Sequence, residues 1–560
     1  MKVLIIGGVA GGATAAARLR RLDENAEIII IERSGYVSYA NCGLPYYIGG
    51  EITDRSALTL QSPESFKRRF RIDARVRQKA VSIDRASKTV RIRRLADGTE
   101  YTEGYDKLIL SPGAHPVIPD LPGIDSKRIM TLRTVEDTFR IYDYIAEHSP
   151  SSAVIIGGGF IGLETAENLK NRGLDITLLQ RGRHVMPPLD EDMAAFVHTY
   201  MRKNGIDLRL SSSVTGFKET ENGITAMTED GEFTADMAIV SIGVAPESTL
   251  AKDAGLALGV KGAVAVDAHM RTSDENIYAV GDAAEITDFI SGKKTVIPLA
   301  GPANKQGRIA ADNICGIESE YKGAQGSSVL KLFDMTVAST GYNERTAALY
   351  GFDHDYVLLT SASHAAYYPG AKSMNIKVLF EKGTGRILGA QIIGFDGADK
   401  RIDVLAAAIR AGMTASDLTE LDLAYAPPYS SAKDPVNMAG YVIENILTGK
   451  VKQAHWDEAL EADGVILDTR TGFEYADGHI DGAMHIPLDS LRERISELPK
   501  DKTIYVHCQS GLRSYIACRI LSQQGYDCRN VAGGYGYYAA VVNGSCPAEK
   551  GTGPCGMSIK

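Results

Sequence analysis

The chain has 560 residues, of which 44% are apolar, with 61 Lys and Arg against 70 Asp and Glu for a formal charge of −9. At roughly 150 residues per domain this length predicts three or four domains, and the acidic balance excludes a general polyanion-binding surface and with it a nucleic-acid partner. No apolar run approaches the ~20 residues of a membrane helix, Met1-Lys2 leads straight into an apolar strand rather than a signal peptide, and seven irregularly spaced cysteines make no disulfide framework, so a cytoplasmic protein of a reducing compartment, with no membrane partner, is expected.

The first elements in the chain are a strand (KVLII), a glycine turn (GGVAGG), a helix (ATAAARLRRLD) and a second strand (EIIIIER) that ends near Glu32. In such a βαβ unit Gly7, Gly8, Gly11 and Gly12, with Ala10, let the backbone approach a pyrophosphate, and Glu32 accepts from a ribose hydroxyl. The second glycine of the fingerprint is replaced by Val9. The pattern returns as AVIIGGGFIGLETAENLKNRGLDITLLQR, where Gly157, Gly159 and Gly162 complete the fingerprint and Phe160 and Ile161 open the helix. Its second strand ends in Gln180-Arg181 instead of an acid. Arg181 can accommodate the 2′-phosphate of NADP, so NADPH is favoured and NADH stays open, as does a merely solvated Arg181. Two dinucleotide sites in one chain predict electron transfer from a nicotinamide to a flavin.

Between these sites stands SYANCGLPYY, with Cys42 and no second cysteine before Cys315. Cys42 is then a buried small residue, half of a distant disulfide, or a nucleophile that works alone; local spacing excludes an internal CxxxxC disulfide. Further on, YDKLILSPGAHP is a strand entering the Ser111-Pro112-Gly113 turn, and TSDENIYAVGDAAE is a strand ending at Gly281-Asp282.

Together these segments resemble the flavoprotein disulfide reductases from residue 1 to about 450, and S-F/Y-x-x-C followed by LPY resembles their single-cysteine branch. The resemblance implies FAD in the first site, lined also by Arg33, Asn41, Val81, Ser111, Gly113, Arg133, Asp282 and Ala300, with Gly243 joining Gln180 and Arg181 at the NAD(P) site. Without a local partner, Cys42 must form a mixed disulfide or persulfide with an outside sulfur, or a sulfenic acid with peroxide. The peroxide- and oxygen-reducing members carry a histidine in the first glycine turn, where this chain has Ala10; an NAD(P)H peroxidase or oxidase is therefore the alternative. The coenzyme A disulfide reductases fit better. Their resemblance implies a homodimer in which two tyrosines of one subunit approach the other's cysteine, here Tyr367 in HAAYYPGA and Tyr425 in LAYAPPYSSAKDPVN, with Lys433 and Asn304. A phenol there could donate to a departing CoA thiolate.

CoA phosphates also call for cations. Arg18 and Arg21 lie three apart, on one face of the first helix, and FKRRFRIDARVR adds Lys67 and Arg71. Thr14, Ser38 and Asn41 are expected nearer the pantetheine. Any one of these arginines could equally belong to a solvated face.

The last hundred residues change pattern. VILDTRTGFEYADGHIDGAMHIPL and TIYVHCQSGLRS each read as a strand entering a loop and a helix. Backbone N–H groups from Cys508 through Gln509, Ser510, Gly511, Leu512 and Arg513 can wrap a thiolate or persulfide. D-x-R, G-H-I-x-G-A and C-x-x-G-x-R-S/T resemble a rhodanese domain; a cysteine phosphatase loop would be one residue longer. Cys518 and Cys528 are expected to be structural, Cys546 and Cys555 have no assigned role, and no metal site is expected.

The expected fold is α/β: two Rossmann-like dinucleotide-binding domains (FAD at 1–118 and 250–325, NAD(P) at 119–249), an α+β dimerisation domain (326–449), an α/β rhodanese domain (460–545) and a tail (546–560). The implied activity is FAD-dependent reduction of CoA persulfide, polysulfide and CoA disulfide by NAD(P)H through Cys42. Cys508 would supply sulfane sulfur, with movement about a 450–460 linker. A sulfur carrier serving a partner protein is the rival of a different class.

Overall fold

The computed structural model describes residues 1–545; Cys546 and Cys555 lie outside the described residues. It divides into two compact units, Met1–Arg181 with Ser212–Gly326, and Gly182–Ser211 with the chain from Ser327 onward.

In the first unit one parallel sheet runs in the order Ile277–Ala279, Lys107–Leu110, Lys2–Ile6, Glu27–Ile31, Asp73–Arg75. Its strands are continuous apolar runs because both faces are covered: Val3, Leu4, Ile5, Ile29 and Ile30 are all buried. The helices Ala10–Leu22 and Ala300–Ile314 pack on each other beside it. Gly307 permits the close approach, since a Cβ there would come within 2.3 Å of the Gly11 carbonyl oxygen. A second parallel arrangement, Ile129–Met130, Met237–Val240, Ser152–Ile156 and Asp175–Leu179 in that spatial order, repeats the plan.

Arg20 has no place in a solvated helix face. It is buried, and its guanidinium donates to the carbonyls of Asp23, Glu24, Ala26, Phe70 and Arg71. This fixes the end of the first helix to the end of the basic helix Pro63–Phe70.

The second unit holds an antiparallel sheet in the order Ser328–Leu332, Met335–Gly341, Ile387–Gly394, Ser373–Glu381, His354–Ala362, and a parallel sheet in the order Gln453–Ala454, Cys528–Val531, Ile504–His507, Val465–Asp468, Met484–His485. The parallel sheet thus begins at Gln453, ahead of residue 460. Residues 182–211 also pack in this unit: the helix Glu191–Lys203 lies against the helix Gly534–Ser545.

The 450–460 segment differs from expectation in its attachments. Gln453 donates to the Tyr356 carbonyl (2.9 Å), His455 pairs with Asp355 (2.8 Å) and stacks on Tyr356, and Tyr537 donates to Asp192. Asp192 with Asp190 and Glu344 surrounds the fully buried Lys377 ammonium, which neutralises part of their charge. A swing about this segment would break all of these bonds, so it is a docked strap and not a free hinge. No helix among the described residues is long and apolar enough to cross a membrane.

Candidate active sites

Both glycine turns are built by contacts that forbid side chains. A Cβ on Gly7 (φ +96°) would lie 2.0 Å from the Ser111 carbonyl oxygen, and one on Gly12 1.9 Å from that of Gly7. Gly157 (φ +108°) and Gly162 meet Ser241 and Gly157 in the same way. A Cβ on Gly159 would touch nothing. Its missing side chain therefore serves no internal packing, and it leaves room for a ligand at the mouth of the turn. The helices beginning at Ala10 and Phe160 have no side-chain cap, leaving their first-turn N–H groups available to a phosphate. Donors and space in both turns therefore fit a dinucleotide.

Glu32 is buried and accepts from the N–H groups of Gly8 and Ser34, both at 2.8 Å; desolvation pushes its carboxyl up and those bonds oppose the rise. Gln180 takes the equivalent position, accepting from Gly158 N–H (2.9 Å), and Arg181 beside it is exposed. Gly243 (φ +121°) is exposed and its carbonyl accepts from Val117. Val81 sits at the irregularity of the strand Gln78–Asp84, and Ala300 opens the helix Ala300–Ile314. Arg33 follows Glu32 and lowers its carboxyl through space.

Cys42 lies in a short turn of helix, Asn41–Gly43, that continues into Leu44–Gly49. Ser38 before it is held at φ +48°, with its N–H on the Gly8 carbonyl (2.7 Å). This ties the cysteine turn to the glycine turn. The Cys42 thiol is exposed and has no disulfide partner among the described residues. Desolvation raises its pKa, Glu164 and Asp282 raise it further, and Arg133 opposes them. Arg133 pairs with Asp282 (2.8 Å) and donates to the Ala114 carbonyl, close beside Gly113. The Asn41 amide, oriented to suit its neighbours, donates to the Arg133 carbonyl (2.9 Å). Sequence-expected flavin and thiol residues thus converge on one place.

Tyr46, of the LPY motif, joins them, and so does Glu164, which the sequence did not point to. Tyr46 donates to Glu164, whose carboxyl is pushed up to about 7 by desolvation. The only signal was position, since Glu164 follows the second fingerprint by two residues.

The CoA candidates divide. Thr14 donates to Asn304 (2.7 Å), joining the two packed helices, and Arg18 pairs with Asp312 (2.7 Å). Arg21, Lys67 and Lys433 are exposed, and Arg71 pairs with Glu24 on the surface.

In the second unit the phenol groups of Tyr367 and Tyr425 meet at 2.8 Å, and the rings are 76% and 46% exposed. Two such aromatics fixed to each other on an open surface gain little from burial within the chain. The hydrogen bond to Tyr367 raises the Tyr425 pKa.

Cys508 is buried, and its sulfur accepts from Gly511 N–H (3.1 Å) and lies 3.5 Å from the Ser514 hydroxyl. Gly511 adopts φ +103°, which turns that N–H inward. Gln509 is held by Gly536 N–H, Ser510 and Leu512 line the loop, and Leu512 projects into solvent. Arg513 is bound in fork geometry by Glu474 (2.6 and 2.7 Å), which holds the Glu474 carboxyl down at about 2. Asp468 and Arg470 form a buried pair (2.6 Å) stacked on Tyr535. His507 beside Cys508 is kept neutral by burial, its pKa lowered to about 4. Cys518 and Cys528 are both in the core behind this loop.

Residues 1–307 match the pyridine nucleotide-disulphide oxidoreductase family, residues 327–435 its dimerisation domain, and residues 452–540 the rhodanese-like domain. The chain belongs to the pyridine nucleotide-disulphide oxidoreductases, whose members use FAD and NAD(P)H, and it ends in a rhodanese-like domain. Within that class it is similar over nearly its whole length to Bacillus anthracis CoADR-RHD (49% identity, TM-score 0.95, 97% of this chain and 98% of that one). It is similar also to an NAD-dependent persulfide reductase from A. fulgidus (40% identity, TM-score 0.91, 96% and 100%). Among sequences, a coenzyme A disulfide reductase of Staphylococcus haemolyticus is 36% identical over 79% of this chain and 98% of its own length, and an NADH oxidase of Methanocaldococcus jannaschii is 36% identical over 78% and 98%.

Proposed function

We propose that the protein uses NAD(P)H to reduce the sulfur–sulfur bond of CoA persulfide, related polysulfides and CoA disulfide, and that it works as a cytoplasmic homodimer. The observation that carries this reading is the contrast of two cysteines on one chain. Cys42 is exposed beside a dinucleotide cradle with no disulfide partner among the described residues, and Cys508 is buried in a rhodanese-type loop with its sulfur accepting from the Gly511 N–H.

The Cys42 thiolate attacks the sulfur bonded to CoA. Attack on the persulfide forms Cys42–S–S–CoA and expels HS⁻; attack on the disulfide forms the same bond and expels CoA thiolate. Tyr367 and Tyr425 of the second copy supply a proton to the departing thiolate. Their fit to this role rests on their exposure and their mutual hydrogen bond. Arg133 favours the Cys42 thiolate against the nearby carboxylates. The Gly7–Gly12 turn, Glu32 and Asp282 would hold FAD, which when bound would supply a two-electron relay between NAD(P)H and Cys42. Arg18 and Arg21 on the first helix and Lys67 on the helix Pro63–Phe70 are the cations offered to the CoA phosphates. Cys508 carries sulfane sulfur for the same substrate pool.

The test is anaerobic NADH and NADPH consumption with CoA disulfide, CoA persulfide and polysulfide side by side, with sulfide quantified. Fast turnover with stoichiometric sulfide from the persulfide supports the proposal; turnover with CoA disulfide alone overturns its persulfide part. The similarity to an NADH oxidase favours a second reading, oxygen or peroxide reduction. Ala10 in the first turn opposes it, and NADPH oxidation driven by peroxide alone would establish it.

A further inference from the structure

The exposed tyrosine pair stands on two loops that share one buried anchor. Arg401, on the helix Ala398–Ala411, is 1% exposed. Its guanidinium donates to the Ser363 carbonyl (2.8 Å), at the start of the loop that carries Tyr367. It also donates to the Ser430 hydroxyl (3.1 Å) and to Asp434 (3.1 Å), at the end of the loop that carries Tyr425. Ser430 in turn donates to Asp434 (2.6 Å), and Asp434 caps the helix Pro435–Leu447 through the Val436 N–H. The loops are joined directly once more, from Ala365 N–H to the Ser430 carbonyl (3.0 Å). Gly397 (φ +73°) makes room, since a Cβ there would lie 2.3 Å from the guanidinium.

We propose that Arg401, with Asp434 and Ser430, is the positioning residue for the Tyr367–Tyr425 pair: it holds both loops in register so that the two phenols meet at the other subunit's thiol. The proposal rests on the functional reading of the tyrosines given above. The physical reason is the exposure of the rings. Neither is fixed by burial, so their 2.8 Å contact depends on the loop backbones beneath them. An arginine bridges a carbonyl, a hydroxyl and a carboxylate through donors fixed in a rigid planar fork, whereas a lysine offers one ammonium centre without that fixed geometry.

The test uses the full-length, FAD-loaded protein. Arg401→Lys and Ser430→Ala are made alone and in a Tyr367→Phe/Tyr425→Phe background. CoA-disulfide turnover is compared with NADPH-driven ferricyanide reduction, which needs no thiol. The expectation is a loss of about tenfold in kcat for Arg401→Lys and about threefold for Ser430→Ala, with an altered alkaline limb of the pH profile. Ferricyanide reduction stays unchanged, and neither substitution causes further loss in the double-Phe background. Losses that multiply in that background would show a general structural role and overturn the proposal. Normal turnover in Arg401→Lys and Ser430→Ala, with impaired double-Phe protein, overturns the positioning role alone. Normal turnover in the double-Phe protein overturns the tyrosine reading and this proposal with it. If Arg401→Lys fails to fold, Ser430→Ala decides, because it removes one hydroxyl and leaves the ion pair.

Discussion

Cys42 and Cys508 are sulfur centres in opposite surroundings. Cys508 is buried, its sulfur is held by the N–H of Gly511 a few residues on, and the neighbouring charges are already paired, Arg513 by Glu474 and Arg470 by Asp468. Cys42 is exposed, and the charges that act on it come from Arg133, Glu164 and Asp282, far apart in the chain. A persulfide is stable when its anion is caged by fixed dipoles away from water, which is storage. A thiolate that must meet a large outside disulfide has to stand open, and has its environment completed by cofactor, substrate and second subunit. On the proposed reading, the two sites divide holding sulfur from reducing it.

The largest effect is expected from Cys42→Ser, which should lower NAD(P)H-dependent reduction of CoA disulfide by on the order of 10³-fold or more while NAD(P)H still reduces the flavin, as stopped-flow absorbance will show. Next, Asp468→Ala leaves the Arg470 guanidinium buried without its partner, at a cost of about 3–5 kcal/mol. It should unfold the rhodanese region first in a thermal melt and spare CoA-disulfide turnover; loss of both together would show that the sites are not separable. Tyr425→Phe should lower kcat on CoA disulfide by about 10²-fold with little change in KM. The smallest effect concerns Glu164. Its folded pKa is about 7 against an ordinary 4.5, so between these values the folded state holds a proton that the unfolded state has lost. Stability then falls as pH rises from about 4.5 to about 7, and Glu164→Gln should flatten that slope in urea-unfolding midpoints.

The comparison also explains what the sequence made legible. The rhodanese loop could be read from a few contiguous residues, because its cage is local: CQSGLR supplies both the sulfur and the Gly511 N–H that binds it. The glycine turns were legible for the same reason, down to Gly159, whose missing side chain serves no packing and leaves room for a ligand. Glu164, Arg401 and Glu474 were not legible, because each acts on a residue that only the fold brings near: Cys42, the Ser363 and Ser430 loops, and Arg513. The basic run on the first helix shows the opposite limit. Spacing pointed to Arg18 and Arg21, while Arg20 between them is the buried one, bound to five carbonyls that no periodicity could announce. In sequence the 450–460 strap reads as a linker, because the partners of Gln453, His455 and Trp456 are set in three dimensions only.

The division between the two cysteines is tested most directly by Cys508→Ser. Steady-state turnover of the variant is compared with that of the unaltered protein on CoA disulfide and on polysulfide, with released sulfide measured in both. The account predicts unchanged CoA-disulfide reduction and polysulfide turnover lowered by about tenfold or more. Equal loss on both substrates, or no loss on either, would contradict it.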